Sequence, residues 1–180
     1  MECRSCWAFA AVSNIESLWN IHFHQPRNLS VQGGLTSEDD YPYTGREEKC
    51  KSCDDRGAYI QGFLTLPRDE EEIAAHVASQ GPITVTLNSA AMKHYQEGIS
   101  LPSVISCSPD YRDHVALVVG FGAENKKPYW VIKNSWGEGW GEKGYYCLYR
   151  GTNACGVAES PVTAIVQRLG APGSKVHCPP

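Results

Sequence analysis

No run of apolar residues in this 180-residue sequence approaches the roughly 20 needed to cross a bilayer as a helix. Nor is there a basic stripe. Lys and Arg number 16 against 20 Asp and Glu, they are scattered, and the net charge is -4, which argues against a nucleic-acid surface. No internal repeat and no low-complexity tract interrupts the chain. No secretory leader is visible either, because Met1 is followed at once by Glu2, Cys3 and Arg4. What is present is 42% hydrophobic and 20% charged, an ordinary globular balance for one domain or two small halves sharing a core. The eight cysteines favour an oxidising compartment. Asn28-Leu29-Ser30 is a glycosylation sequon and points the same way. A secretory composition without a leader leads us to expect that the natural chain begins upstream of Met1.

Residues 5 to 23 read as one amphipathic helix, with Ala8, Ala11, Val12, Ile15, Leu18 and Trp19 recurring at three- and four-residue steps. Ser5 is the expected N-cap, which puts Cys6 in the first turn, and Pro26 marks the exit. Residues 33 to 57 read as loops. A second helix is expected from Asp69 to Gln80, with acidic residues in its first turn, Ile73, Ala74 and Val77 inward, and Gly81-Pro82 as its stop. Ile83 to Leu87, Val115 to Phe121, Tyr129 to Lys133, Tyr145 to Tyr149 and Val162 to Val166 read as strands. The tail from Gly170 is small, polar and Pro-rich. The fold class is α+β: a helix in front, and an antiparallel sheet or barrel behind.

Three segments carry chemistry: Cys3-Arg4-Ser5-Cys6-Trp7, Asp113-His114-Val115, and Lys133-Asn134-Ser135-Trp136-Gly137. A nucleophilic cysteine must become a thiolate, and a free thiol is mostly protonated at neutral pH. A helix N-terminus puts about half a positive charge beside the sulfur, and an imidazole takes the proton. An Asn carbonyl on the far ring nitrogen holds the imidazole in one orientation. Cys6, His114 and Asn134 supply these parts.

These segments resemble the papain family of cysteine peptidases, over nearly the whole chain and in the family's order. The resemblance makes Cys6 the nucleophile, His114 the base, Asn134 its orienter and Trp136 the shield of the His–Asn bond. It implies a two-subdomain fold, with an incomplete helical half over about 1–68 and a mainly β half over about 69–168. It implies no cofactor and no metal, peptide or protein substrates, a monomer, and an endolysosomal or secretory location. Cys107 and Cys155 match a family disulfide. Arg4, Ser5, Trp7, Asp113 and Val115 would wall the active site. Ser160 would sit at the bottom of the pocket for the residue two before the cut, where a small side chain leaves room for a bulky apolar one.

The sequence departs from the family pattern twice. The oxyanion-hole Gln is expected six residues before the nucleophile, a position that precedes Met1. The spacing from Cys6 to His114 is also short of the roughly 130–150 residues usual in the family, as if a segment were missing after Ser30-Val31-Gln32. That segment would carry part of the substrate groove and the partners of Cys3 and Cys50. An impaired peptidase homologue is therefore the competing expectation. Cys53, Cys147 and Cys178 have no assigned partner, and Cys147 reads as buried and inert.

Two other classes were weighed. Cys3-x-x-Cys6 with Cys50-x-x-Cys53 has the look of a zinc site, but the pairs stand farther apart than the roughly 15–20 residues of a zinc ribbon. A thioredoxin-like role needs a strand before Cys3, and only two residues precede it. His22 and His24, two apart on a helix, would face different directions.

Overall fold

A computed structural model describes residues 5–24, 29–31, 35–37, 39, 42–46 and 60–166. The first element, α1 (Cys6–Phe23), ends where His24 turns left-handed and returns its N–H to the Asn20 carbonyl. Its buried face is Ala10, Asn14, Ile15, Leu18 and Trp19. Ala8, Ala11 and Val12 of the expected stripe are only half-buried. Ser5 stands at the N-cap but makes no side-chain cap bond, and its hydroxyl lies 3.1 Å from that of Tyr43.

Next come β1 (Leu29–Val31) and β2 (Leu35–Ser37), which pair antiparallel. The second falls inside the stretch expected to be loop. Three residues are too few to register as a period-two pattern. β3 (Ile60–Thr65) also went unrecognised. It is an edge strand exposed at nearly every position, so it lacks the alternation that marks a half-buried strand.

α2 (Glu70–Gln80) follows, and Asp69 caps it by accepting from the N–H groups of Glu71 and Glu72. Three glutamates in the first turn complement the helix dipole. Ile73, Ala74 and Val77 are buried as expected. Then come β4 (Ile83–Leu87), β5 (His114–Glu124), β6 (Lys127–Lys133), β7 (Tyr145–Tyr149) and β8 (Val162–Val166). β5 is longer than the expected Val115–Phe121. It runs into a two-residue hairpin through Asn125 and Lys126, both at positive φ, which matches the strand twist.

All pairings in the six-stranded sheet are antiparallel, in the order β3-β8-β4-β5-β6-β7. β3, ahead of α2 in the chain, joins this sheet through β8. One cluster of buried side chains forms the core beneath α2, including Ile83, Val85 and Leu87 of β4, Trp130 and Ile132 of β6, and Tyr146 and Leu148 of β7. Cys107 and Cys155 are disulfide-bonded with Cα atoms 4.9 Å apart, inside the ordinary window.

Asn14 ties α1 to this sheet. It is only 2% exposed, in the middle of an apolar face. Its amide nitrogen donates to the Pro82 carbonyl at 2.7 Å and to the Thr163 hydroxyl at 3.3 Å, and its oxygen accepts from Ala164 N–H at 2.8 Å. Through these bonds the helix is held against both the start of β4 and β8. The described helices include none long and apolar enough to cross a membrane.

Candidate active site

His114 opens β5, where it pairs across the ladder with Leu87 of β4. Its ring is buried, and its Nε2 lies 2.8 Å from Asn134 Oδ1. Asn134 follows the last residue of β6, and its own N–H donates to the Gly144 carbonyl at 2.9 Å. The orientation of the Asn134 amide follows from a second donor: Ser135 N–H also reaches Oδ1, at 2.9 Å. A flipped amide would put NH₂ against an N–H. With Oδ1 fixed as acceptor, the neutral imidazole carries its proton on Nε2, and Nδ1 keeps a lone pair. Burial pushes His114 below the usual histidine range, while the Asn134 bond and the Asp113 charge pull the other way.

The Trp136 indole lies against the imidazole, with ring centroids 5.2 Å apart. It is braced edge-on by Trp140, with centroids 5.1 Å apart, and Trp140 contacts Tyr146 and Tyr95. The loop carrying both Trp residues turns on glycine. At Gly141, φ is +54°, and a Cβ would come within 2.8 Å of the Tyr145 carbonyl and 3.1 Å of the Tyr95 ring.

Cys6 is the first residue of α1, a half-buried free thiol at the positive end of the helix dipole. α1 packs against β5, the strand that begins with His114. A cleft of about 240 Å³ opens between them, lined by Phe9, Ala10, Ser13, Val115, Leu117 and Asn134, among others.

A profile described as "Papain family cysteine protease" matches residues 1–33 and 30–165. The chain belongs to the papain family of cysteine proteases. Mouse (Mus musculus) cathepsin W is 37% identical, with 99% of this chain and 60% of that protein covered. Mouse cathepsin F is 40% identical, with 91% of this chain and 42% of that protein covered. The solved digestive procathepsin L 3 of Tenebrio molitor superposes with a TM-score of 0.85 at 27% identity, covering 91% of this chain and 64% of that one. The chain thus spans about three fifths of the length of the cathepsin W it matches.

The match is also broken internally. The papain profile aligns as two pieces meeting at residues 30–33, where a missing segment was expected. The alignment with cathepsin W runs over 227 positions against 180 residues here, an excess of 47 that must face gaps.

Among the described residues, His114, Asn134 and Trp136 form one contact group. Its hydrogen bonds and ring contacts do not extend to Cys6, Trp7, Val115 or Ser160. Trp7 is exposed beside Cys6, Val115 lines the cleft, and Ser160 is half-buried in the bend before β8. Asp113, expected to wall the site, has both carboxylate oxygens engaged by Ser89. Arg4, Asn28, Cys3, Cys50, Cys53 and Cys178 lie outside the described residues. Cys147 is half-buried on β7 rather than fully buried, and burial followed by the nearby Glu142 charge pushes its thiol up.

Sequence reasoning missed Ser89 and Asn14. Asn14 had a signal: Ala10, Asn14 and Leu18 are four residues apart, so a polar residue occupied a core position of the helix. Ser89 had none, because its partner lies 24 residues away.

Proposed function

We propose that this protein is a thiol-dependent endopeptidase of cathepsin type, in which Cys6, His114 and Asn134 act on peptide bonds. Cys6 Sγ attacks the scissile carbonyl carbon while its proton passes to His114 Nδ1. Asn134 Oδ1 accepts from Nε2–H throughout and holds the imidazolium that forms. The helix-start N–H of Cys6 has no intrahelical partner and is free to donate to the developing oxyanion. Collapse of the tetrahedral intermediate breaks the C–N bond, and the leaving amine takes the proton from Nδ1. Water, deprotonated by His114, then cleaves the thioester and returns the thiol.

The observation that carries this reading is the 2.8 Å His114–Asn134 bond with its amide orientation fixed by Ser135. It leaves Nδ1 as the basic atom. Burial adds to this, because a ring below the usual histidine range is neutral at pH 7 and able to accept. The substrates are peptides or proteins. The Cys107–Cys155 disulfide fits an endolysosomal or secretory location.

A second reading is favoured by one observation, the excess of 47 alignment positions over the residues of this chain. On that reading substrate-docking chain is missing, and the protein is an impaired peptidase homologue. The deciding experiment is hydrolysis of a fluorogenic dipeptide by the purified protein beside its C6S variant. Cleavage that C6S abolishes supports the endopeptidase. Labelling of Cys6 by a peptidyl electrophile without cleavage supports the impaired homologue. Cleavage that survives in C6S overturns both.

A further inference from the structure

We propose that Ser89 is a positioning residue for His114: its hydroxyl and its backbone N–H grip both oxygens of Asp113 and hold that charge beside the imidazole. The proposal rests on reading His114 as the base and extends it to a group that touches neither substrate nor nucleophile. Ser89 is buried, and its N–H reaches Asp113 Oδ1 at 2.8 Å while its hydroxyl reaches Oδ2 at 3.0 Å. Asp113 is itself exposed, so without two donors its carboxylate would turn out into water. The backbone supports the same clamp. Asp113 N–H donates to the Leu87 carbonyl at 3.2 Å, which fixes the residue just before β5 against the end of β4.

Ser89 is held in turn by its neighbour. Asn88 accepts from Ala90 N–H at 2.9 Å, donates to the Ser108 carbonyl at 3.1 Å, and gives its own N–H to the Cys155 carbonyl at 2.9 Å. The turn is therefore rigid before Ser89 adds its grip. A hydroxyl is not needed to close such a turn, since the backbone N–H alone would bond one carboxylate oxygen. The hydroxyl engages the second and removes the freedom of the carboxylate to rotate.

The charged and titratable groups around this end of β5 are few. Of the elements packed on β5, α1 starts at the Cys6 thiol, α2 carries His76 and three first-turn glutamates, β6 ends in Lys133 opposite Leu117, and β4 ends at Leu87 and the neutral Asn88–Ser89 turn, while Arg112 beside Asp113 turns to the Pro109 carbonyl. Asp113 is the charge whose field raises His114 against its burial. Loosening Asp113 weakens that field, so the imidazolium becomes easier to deprotonate.

The test is an NMR titration of the His114 ring, made in a C6A background so that the thiol does not intrude. It reads the resting protein, so it decides this proposal even if the peptide assay finds no turnover. S89A is expected to lower the His114 midpoint by about 0.3–0.5 pH unit. S89T, which keeps the hydroxyl, is expected to titrate like Ser89, and D113N to fall further in the same direction. A melting temperature that drops in S89A with the midpoint unmoved would mark Ser89 as merely structural and overturn the proposal. So would an upward shift, or a D113N midpoint that stays in place.

Discussion

The Asn134 side chain uses one oxygen for two donors, and in the proposed mechanism it orients His114 without taking part in the bond changes. Removing it as N134A leaves His114 free to swing and to exchange tautomers without touching any substrate group. The expected result is a fall in kcat of roughly 10- to 100-fold with KM little changed. Steady-state kinetics on a fluorogenic peptide separates the two, and a rise in KM at constant kcat would mean Asn134 binds substrate instead. At this scale the sequence was most informative where chemistry constrains neighbours closely. Lys133-Asn134-Ser135-Trp136 places an acceptor, the donor that orients it and a shielding ring in consecutive positions. Ser89 was invisible for the opposite reason. Its role exists only because β4 and β5 pair, and no local pattern announces a bond across 24 residues.

Among elements, α1 matters most, because Cys6, the proposed nucleophile, rides on it. Its own polar anchor is Asn14, so replacing that residue by an apolar one of similar size should loosen the helix from the sheet. N14L strands the Ala164 N–H and leaves the Pro82 carbonyl with only the Thr163 hydroxyl as its partner, at 3.3 Å. Each stranded buried group costs about 1–3 kcal/mol. A total loss of about 1–3 kcal/mol is expected, read as a lower urea midpoint with an unchanged slope. A loss under about 0.5 kcal/mol would show that these groups find water in the variant.

The Trp136 loop is a second such element. G141A must force a side chain into a left-handed turn against the Tyr145 carbonyl, at an expected cost of about 1–3 kcal/mol and with loss of His114 shielding. Tryptophan fluorescence and denaturant melts check both effects. Helices and central strands were readable from periodicity because their faces differ. β4 alternates buried with half-buried residues along its whole length, whereas β3, exposed at nearly every position, offers no such contrast.

For the whole molecule, His114 links stability to pH. Its folded-state pKa is depressed by burial below the ordinary 6.5. The unfolded chain therefore binds a proton that the folded chain resists. The sign follows: this group's contribution is intact above about pH 6.5, is lost as the pH falls below it, and levels off beneath the folded pKa. His76, half-buried on α2, is shifted the same way by burial and adds in the same direction. Thermal melts should show Tm falling between pH 7.5 and 5.5, and H114N should flatten that slope. A slope equally steep in H114N would contradict the assignment. The disulfide acts on the unfolded chain instead. Closing its 48-residue separation is worth roughly 4 kcal/mol on the chain-entropy account, so reduction should lower the urea midpoint at every pH.

In the proposed mechanism Cys6, His114 and Asn134 work as one unit. The most direct measurement is the alkylation rate of each cysteine by iodoacetamide, resolved by peptide mass mapping, in the native protein and in H114A. Cys147 serves as the internal reference, a free thiol whose pKa burial raises. The account predicts that Cys6 reacts at least about 10-fold faster than Cys147 at pH 6.5 and that H114A removes most of that advantage. Equal rates at the two cysteines, or a fast Cys6 indifferent to the loss of His114, would contradict it.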